Sequence, residues 1–128
     1  KFIVENLETD SERATKLGVI TGSYNNRVWV LRRKRFCDPS SLDSLINEIH
    51  LIHLGLTAVP KCAGAFENLR WVFKSILKLF FSFKHRIDEI VKKELEFYAK
   101  LTGKCLRNAL LWRHRVWFSE TFNTINDI

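Results

Sequence analysis

The clearest hydrophobic pattern in the chain runs from Glu67 to Arg86 and predicts an amphipathic helix. Its apolar residues recur at the three- and four-residue spacings that place side chains on one helix face. That apolar arc consists of Phe66, Leu69, Val72, Phe73, Ile76, Leu77, Leu79, Phe80 and Phe83. A second arc carries cations and two aromatic rings, namely Arg70, Trp71, Lys74, Lys78 and Phe81. Because no acidic residue lies between Glu67 and Asp88, these cations are expected to meet an acidic surface outside the helix.

Two more helices are predicted on either side of this segment. One begins after Asp38 and Pro39, because the aspartate accepts bonds from free backbone N–H groups and the proline fits the first turn. It ends at Gly55, and His53 shares its apolar face. The other spans residues 87–102, either continuing the aromatic helix or turning back just before residue 87, with apolar residues on one side and charged residues on the other.

A last helix is predicted from Lys104 to about Phe122, and it has apolar residues on two faces. The face predicted to pack in the core carries Cys105, Leu106, Ala109, Leu110, Trp112, Val116 and Trp117. The opposite face mixes Leu111, Phe118 and Phe122 with the basic residues Lys104, Arg107, His114 and Arg115. Together with Phe81, these three apolar side chains are predicted to form an interface with a second copy of the chain or a partner subunit.

The N-terminal part of the chain has a different pattern. Residues 10–17 predict a short helix, after which apolar residues alternate with polar ones. This alternation predicts a β-hairpin with strands at residues 19–23 and 28–32, because the intervening Asn25 and Asn26 tolerate the positive φ of a tight turn. Two strands alone are marginally stable, so the hairpin is expected to lie on the helices or on another chain.

These elements predict a mainly α protein, a small bundle of four to five helices with a short N-terminal β-hairpin. A chain of 128 residues suits one domain and is too short for two ordinary ones. The expected domain is therefore 1–128, with an N-terminal segment at 1–36 and the helical bundle at 38–122. The apolar fraction of 46% and charged fraction of 27% are typical of folded proteins.

The positive charge of the chain leaves nucleic acid, anionic lipid and an acidic protein as possible partners, and the aromatic rings beside the cations favour nucleic acid. The net charge is +7, from 21 Lys and Arg against 14 Asp and Glu. A run of four basic residues follows Trp29, and rings beside cations are suited to stacking on bases while neutralising phosphates. The run is also compatible with solvated surface charge, a nuclear localisation signal or a dibasic processing site. The predicted nucleic-acid-binding residues are Trp29, Arg32, Arg33, Lys34, Arg35, Arg70, Trp71, Lys74 and Lys78.

Two further groups of residues have candidate chemistry. Glu94 and Arg113 each fall within an apolar arc of a predicted helix, and they are expected to form a buried ion pair that sets the register of the two helices. Cys37, His50, His53 and Cys62 are weak candidates for zinc ligands, since widely spaced single cysteines are more often small core residues. Three cysteines also make no disulfide framework, which favours an intracellular location, nuclear or cytoplasmic.

No motif in the sequence predicts an enzyme or a bound cofactor. The glycines are scattered rather than gathered into a phosphate loop, and no G-x-S-x-G elbow is present. Lys74, Lys78 and Lys84 interrupt the strongest apolar run, so a transmembrane segment is not expected. The aromatic helix also resembles a calmodulin target or a helix lying on a membrane, but both roles need its apolar arc exposed. The expected function is non-enzymatic binding of RNA or single strands, and the rival is a structural subunit in a protein complex.

Overall fold

The computed structural model describes residues 10–20 and 26–126, and the sequence forms six α-helices over these ranges. The helices are α1 (Asp10–Ile20), α2 (Asn26–Leu31), α3 (Leu42–Ala58), α4 (Ala63–Lys78), α5 (Lys84–Lys104) and α6 (Ala109–Asn126). A single π-helical turn, Arg32–Phe36, follows α2 without a break. No strand occurs in the described ranges, and the prediction of a mainly α protein is confirmed.

Helix α4 lies at the centre of the fold, because residues on almost every side of it are buried. It packs against α3, α2 and α6, while α5 packs against α6 and α1 packs against α2 and α3. The predicted apolar arc supplies the core, with Phe66, Leu69, Val72, Phe73 and Ile76 each at most 4% exposed. Helices that are apolar over a wide arc gain most of their stability from this kind of burial rather than from intrinsic propensity.

Local hydrogen bonds set the helix ends, and several of these ends differ from the predicted boundaries. Helix α3 begins at residue 42 because the Ser41 hydroxyl accepts from the N–H of Ser44, and it continues through Gly55. Helix α6 begins at residue 109 because the Asn108 side-chain oxygen accepts from the N–H of Leu111 over 3.1 Å. The aromatic helix ends at Lys78 rather than Arg86, since the following N–H groups bond to carbonyls only three residues back.

The predicted N-terminal β-hairpin is wrong over the residues that can be tested. Residues 19–20 lie in α1 and residues 28–32 in α2 and the π-helical turn, while residues 21–25 of the proposed hairpin lie outside the described ranges. The helical conformation brings Val19 and Trp29, exposed by 2% and 3%, onto Gly55 of α3. A Cβ on Gly55 would lie 2.8 Å from Cγ1 of Val19, so the absent side chain is what lets these helices approach. Tertiary packing outweighs the alternating pattern here.

The most buried face of α6 is the one predicted to lie outside the core, although Leu110 and Trp117 of the predicted core face are partly buried against it. Leu111, Phe118 and Phe122 are at most 4% exposed, and the Phe73 ring meets the Phe118 ring edge-on at a centroid distance of 4.9 Å. Trp112 and Val116, which were expected in the core, are 46% and 56% exposed. The predicted intermolecular interface of Leu111, Phe118 and Phe122 is therefore wrong, because the core of one chain already covers these side chains.

The difference follows from His114, which lies on the buried face and was counted as a surface cation. Its imidazole is fully buried, and its Nε2 atom lies 2.6 Å from the Tyr98 hydroxyl of α5. A neutral imidazole that satisfies a buried phenol belongs in a core as an apolar ring would. On the outer face, the Arg115 guanidinium lies 4.8 Å from the centroid of the Trp112 ring.

Candidate functional site

Two of the nine residues predicted to bind nucleic acid lie in the core. Trp29 is 3% exposed, and its backbone oxygen accepts a 2.8 Å hydrogen bond from Nδ2 of Asn68. Arg32 is also 3% exposed, and its guanidinium donates to both carboxylate oxygens of Glu48, over 2.7 and 3.2 Å. A buried ring cannot stack on a base and a buried, paired guanidinium cannot reach a phosphate, so the structure removes both residues from the predicted surface.

The remaining cations of the basic run stay at the surface, and Arg33 reaches α4. Lys34 and Arg35 are exposed on the π-helical turn, and Arg33 is half-buried. The Arg33 guanidinium donates from Nη1 to the side-chain oxygen of Asn68 over 3.4 Å. This contact places Arg33 beside α4, while the π-helical turn itself packs mainly against α1 and α2.

On α4 itself, three of the four predicted residues share one outward face. Trp71, Lys74 and Lys78 are spaced at i, i+3 and i+7, with the tryptophan half-buried and both lysines exposed. Arg70 points elsewhere, since its guanidinium lies 5.7 Å from the Trp117 ring centroid on α6. One carboxylate, that of the exposed Glu67, shares the outward face.

We call Arg33, Lys34, Arg35, Trp71, Lys74 and Lys78 the basic surface. It brings together two segments that are far apart in the sequence, and five of its six members are cations. A single half-buried ring remains where the sequence predicted two stacking tryptophans. The basic surface is therefore better suited to contacting phosphates than to reading several bases.

A separate cleft of about 490 Å³ lies between α3 and α5. Glu94, 1% exposed, binds His53 there, with Oε1 2.8 Å from Nε2 of the imidazole. The His53 ring also stacks on Phe97 at a centroid distance of 3.7 Å. Arg113 is exposed, and the second Glu94 oxygen has no hydrogen-bond partner among the described residues. The predicted Glu94–Arg113 pair is thus wrong, and His53 takes the place of the arginine.

A second pair, the hydrogen-bonded Tyr98 and His114, is buried in the core, and Tyr98 interacts electrostatically with Glu94. Burial, and then the negative charge of Glu94, raise the pKa of Tyr98 well above its ordinary value. Burial and the nearby charge of Arg70 lower the pKa of His114 to about 3, so its imidazole is neutral. A carboxylate that orients an imidazole occurs in acid–base sites, but the residues lining this cleft include no serine, threonine or cysteine nucleophile. The His53–Glu94 pair therefore connects α3 to α5.

Sequence patterns contained part of the signal for this pair. His53 shares the apolar face of α3, and Glu94 lies within the apolar arc of α5, so both polar groups were placed towards a core. Periodicity assigns a residue to a face of its own helix, but it does not say which neighbouring helix that face meets. That second piece of information decides between His53 and Arg113 as the partner.

The four candidate zinc ligands do not converge. Cys37 and Cys62 are buried, His50 is exposed, and His53 binds Glu94. Burial, followed by the charge of Glu48, raises the pKa of the Cys37 thiol to about 11, which keeps it protonated. Within residues 10–20 and 26–126, no three potential ligands lie close enough together to hold a metal ion.

Comparison with known proteins provides no relative for this chain: no protein-family model, curated protein or solved structure matches it. The helices of the described ranges also include none with the length and apolar character needed to cross a membrane.

Proposed function

We propose that the protein is a non-enzymatic helical module that binds nucleic acid through the basic surface. The observation that supports this proposal is the 3.4 Å hydrogen bond from Arg33 to Asn68, because it places one cation of the basic run beside α4, whose outward face carries Lys74 and Lys78. Five cations on one surface match the regular negative charge of a phosphate backbone. None of the ion pairs of the described residues involves a cation of this surface.

Within this proposal, RNA or another single strand is the favoured partner. Trp71, which is half-buried against the core, lies on the same helix face as Lys74 and Lys78. An unpaired base can stack on such a ring while its phosphates contact the lysines, whereas a paired base in a duplex cannot. Affinity for a single strand should therefore exceed affinity for a duplex of the same length.

The rival function, a structural subunit assembled through aromatic faces, has lost most of its support. Leu111, Phe118 and Phe122 are core residues, and only Phe81 of the predicted interface is fully available. Self-association and binding to an acidic protein stay predictions.

Titration of a fluorescent single-stranded RNA at increasing salt concentration tests the proposed function. Each phosphate contact contributes about 0.7 to the slope of log affinity against log salt for a single strand. The double variant Lys74→Gln/Lys78→Gln should therefore lower the slope by about 1.4. The matched control is Lys92→Gln/Lys93→Gln, which removes two exposed lysines from α5 and the same net charge.

The control should bind somewhat more weakly, because it lowers the net positive charge that attracts RNA at long range. Its slope of log affinity against log salt should equal that of the wild type. If both double variants change the slope equally, binding depends on overall charge and the basic surface is not the site. If the wild type fails to bind RNA at low salt, the proposed function is wrong.

A further inference from the structure

The turn that joins α4 to α5, residues 79–83, carries the most exposed large apolar side chain of the described residues. Phe81 is 92% exposed, and its neighbour Phe83 is 37% exposed. Phe80, 8% exposed, is inserted in the core, and its ring meets the Phe81 ring edge-on at a centroid distance of 5.6 Å. One phenylalanine thus anchors the turn while the next projects into solvent.

Hydrogen bonding within the turn satisfies most of its backbone. Four of its five N–H groups, those of Leu79, Phe80, Ser82 and Phe83, donate to carbonyls between Ile76 and Phe80. Unsatisfied amides are what make irregular backbone costly in a membrane environment. Moving a turn towards the hydrocarbon boundary of a bilayer therefore costs less free energy when most of its amides are bonded internally than when they are open.

Positive charge flanks the turn on both sides. Lys78 ends α4 and Lys84 begins α5, and both side chains are exposed. Neither takes part in an ion pair of the described residues, whereas the nearby Arg86 binds Asp43 over 2.8 Å. The sequence has no acidic residue between Glu67 and Asp88, and the exposed Asp88 lies one helical turn beyond Lys84.

We propose that this turn is a docking site for the surface of an anionic phospholipid bilayer. The Phe81 ring and the exposed edge of Phe83 enter the boundary between headgroups and acyl chains, while Lys78 and Lys84 contact the phosphates and carboxylates of the lipids. The apolar rings thus match the acyl chains of the bilayer, and the cations on either side of them match its anionic headgroups. The proposal does not rest on nucleic-acid binding, although Lys78 also belongs to the basic surface.

A bilayer suits the shape of the turn better than a nucleic acid does. Base-stacking rings usually lie in grooves that follow the strand, with phosphate contacts along them. Phe81 instead projects from a convex connection between two helices, where its ring is almost fully exposed. A bilayer offers an apolar layer into which a protruding ring fits without a preformed groove.

Co-sedimentation with vesicles tests the proposal. The wild type should bind vesicles that contain phosphatidylcholine and phosphatidylserine, and bind phosphatidylcholine alone much more weakly. Phe81→Ser should lower the partition coefficient about tenfold, because it removes an inserted phenyl group. Phe81→Leu should stay close to the wild type, since an aliphatic side chain also inserts, and Lys84→Gln should lower binding about fivefold.

Leu106→Ser is the matched control, because Leu106 is 77% exposed in the turn at the other end of α5. It should bind vesicles as the wild type does. The proposal is overturned if the wild type ignores phosphatidylserine, if Phe81→Ser binds normally, or if both serine variants lose equally. It is also overturned if Phe81→Ser weakens RNA binding and leaves vesicle binding intact, because the ring then stacks on bases. Dissociation of an oligomer by Phe81→Ser without vesicles would instead make the turn a contact between copies.

Discussion

Replacing His114 with glutamine should make the stability of the protein less sensitive to acid. In the folded chain this imidazole is fully buried, and burial together with the charge of Arg70 lowers its pKa from 6.5 to about 3. In the unfolded chain it titrates normally. Between these two values the unfolded state binds a proton that the folded state does not, so protonation favours unfolding. The contribution of His114 to stability is complete above pH 6.5 and is lost as the pH falls towards 3.

The size of the effect follows from the two pKa values. Between pH 7 and pH 5, the unfolded imidazole becomes almost fully protonated while the folded one stays neutral, which costs about 2 kcal/mol. The full loss, reached near pH 3, approaches about 5 kcal/mol. Free energies of unfolding of small proteins are about 5–15 kcal/mol, so this one side chain should account for much of the acid sensitivity.

Urea denaturation of the wild type and His114→Gln at several pH values provides the measurement. Glutamine cannot titrate, and its amide can still bond to the Tyr98 hydroxyl. Subtracting the free energy of unfolding of His114→Gln from that of the wild type at each pH cancels the contributions of the carboxylates and of the other histidines. That difference should shrink by about 2 kcal/mol from pH 7 to pH 5. Parallel curves would refute the reasoning, as would an imidazole NMR titration of His114 with a midpoint near 6.5.

Two other substitutions test the core. Glu48→Ala should destabilise the fold by about 3 kcal/mol in urea titrations, because the buried Arg32 guanidinium keeps only the Thr15 hydroxyl at 3.2 Å and the Glu12 carboxylate at 3.9 Å. The exposed Glu89→Ala should change stability by less than about 0.5 kcal/mol, and equal effects would contradict the importance of the buried pair. Gly55→Ala should destabilise by about 1–3 kcal/mol, because a Cβ there would lie 2.8 Å from an atom of a neighbouring helix. A Cβ at Gly103 would have no atom within 4 Å, so Gly103→Ala should stabilise the fold by about 0.5–1 kcal/mol. A lower urea midpoint for Gly103→Ala, or a higher one for Gly55→Ala, would refute the packing argument.

Periodicity predicted the helices of the C-terminal part of the chain because their apolar spacing is regular over several turns. The core arc of α4 is the clearest case, with Leu69, Val72, Phe73 and Ile76 all fully buried. The same method failed at residues 19–20 and 28–32, where short apolar stretches stand beside polar residues. Short apolar runs fit a strand and a helix equally well, and the packing of Val19 and Trp29 on Gly55 decides between them.

The candidate site was less predictable than the fold, because exposure depends on which helices meet. Trp29 and Arg32 read as a stacking ring and a phosphate contact, and both are buried by contacts to α3 or α4 that lie 16 or more residues away. Phe81 was placed on a helix face, but the helix ends before it, and the turn leaves its ring in solvent. Local sequence patterns contain neither the end of α4 nor the partner of each polar group.

The central position of α4 has a consequence for how the molecule can be divided. Its sides are covered by segments from opposite parts of the chain. Helix α2 comes before it in the sequence, and 30 residues separate the end of α4 from the start of α6. A fragment that stops before α6 would leave the Phe73 ring without its aromatic neighbours. A fragment that starts after α2 would lack Trp29, whose backbone oxygen accepts the hydrogen bond from Asn68. Neither half has a complete interior of its own, so limited proteolysis should release no shorter stable core.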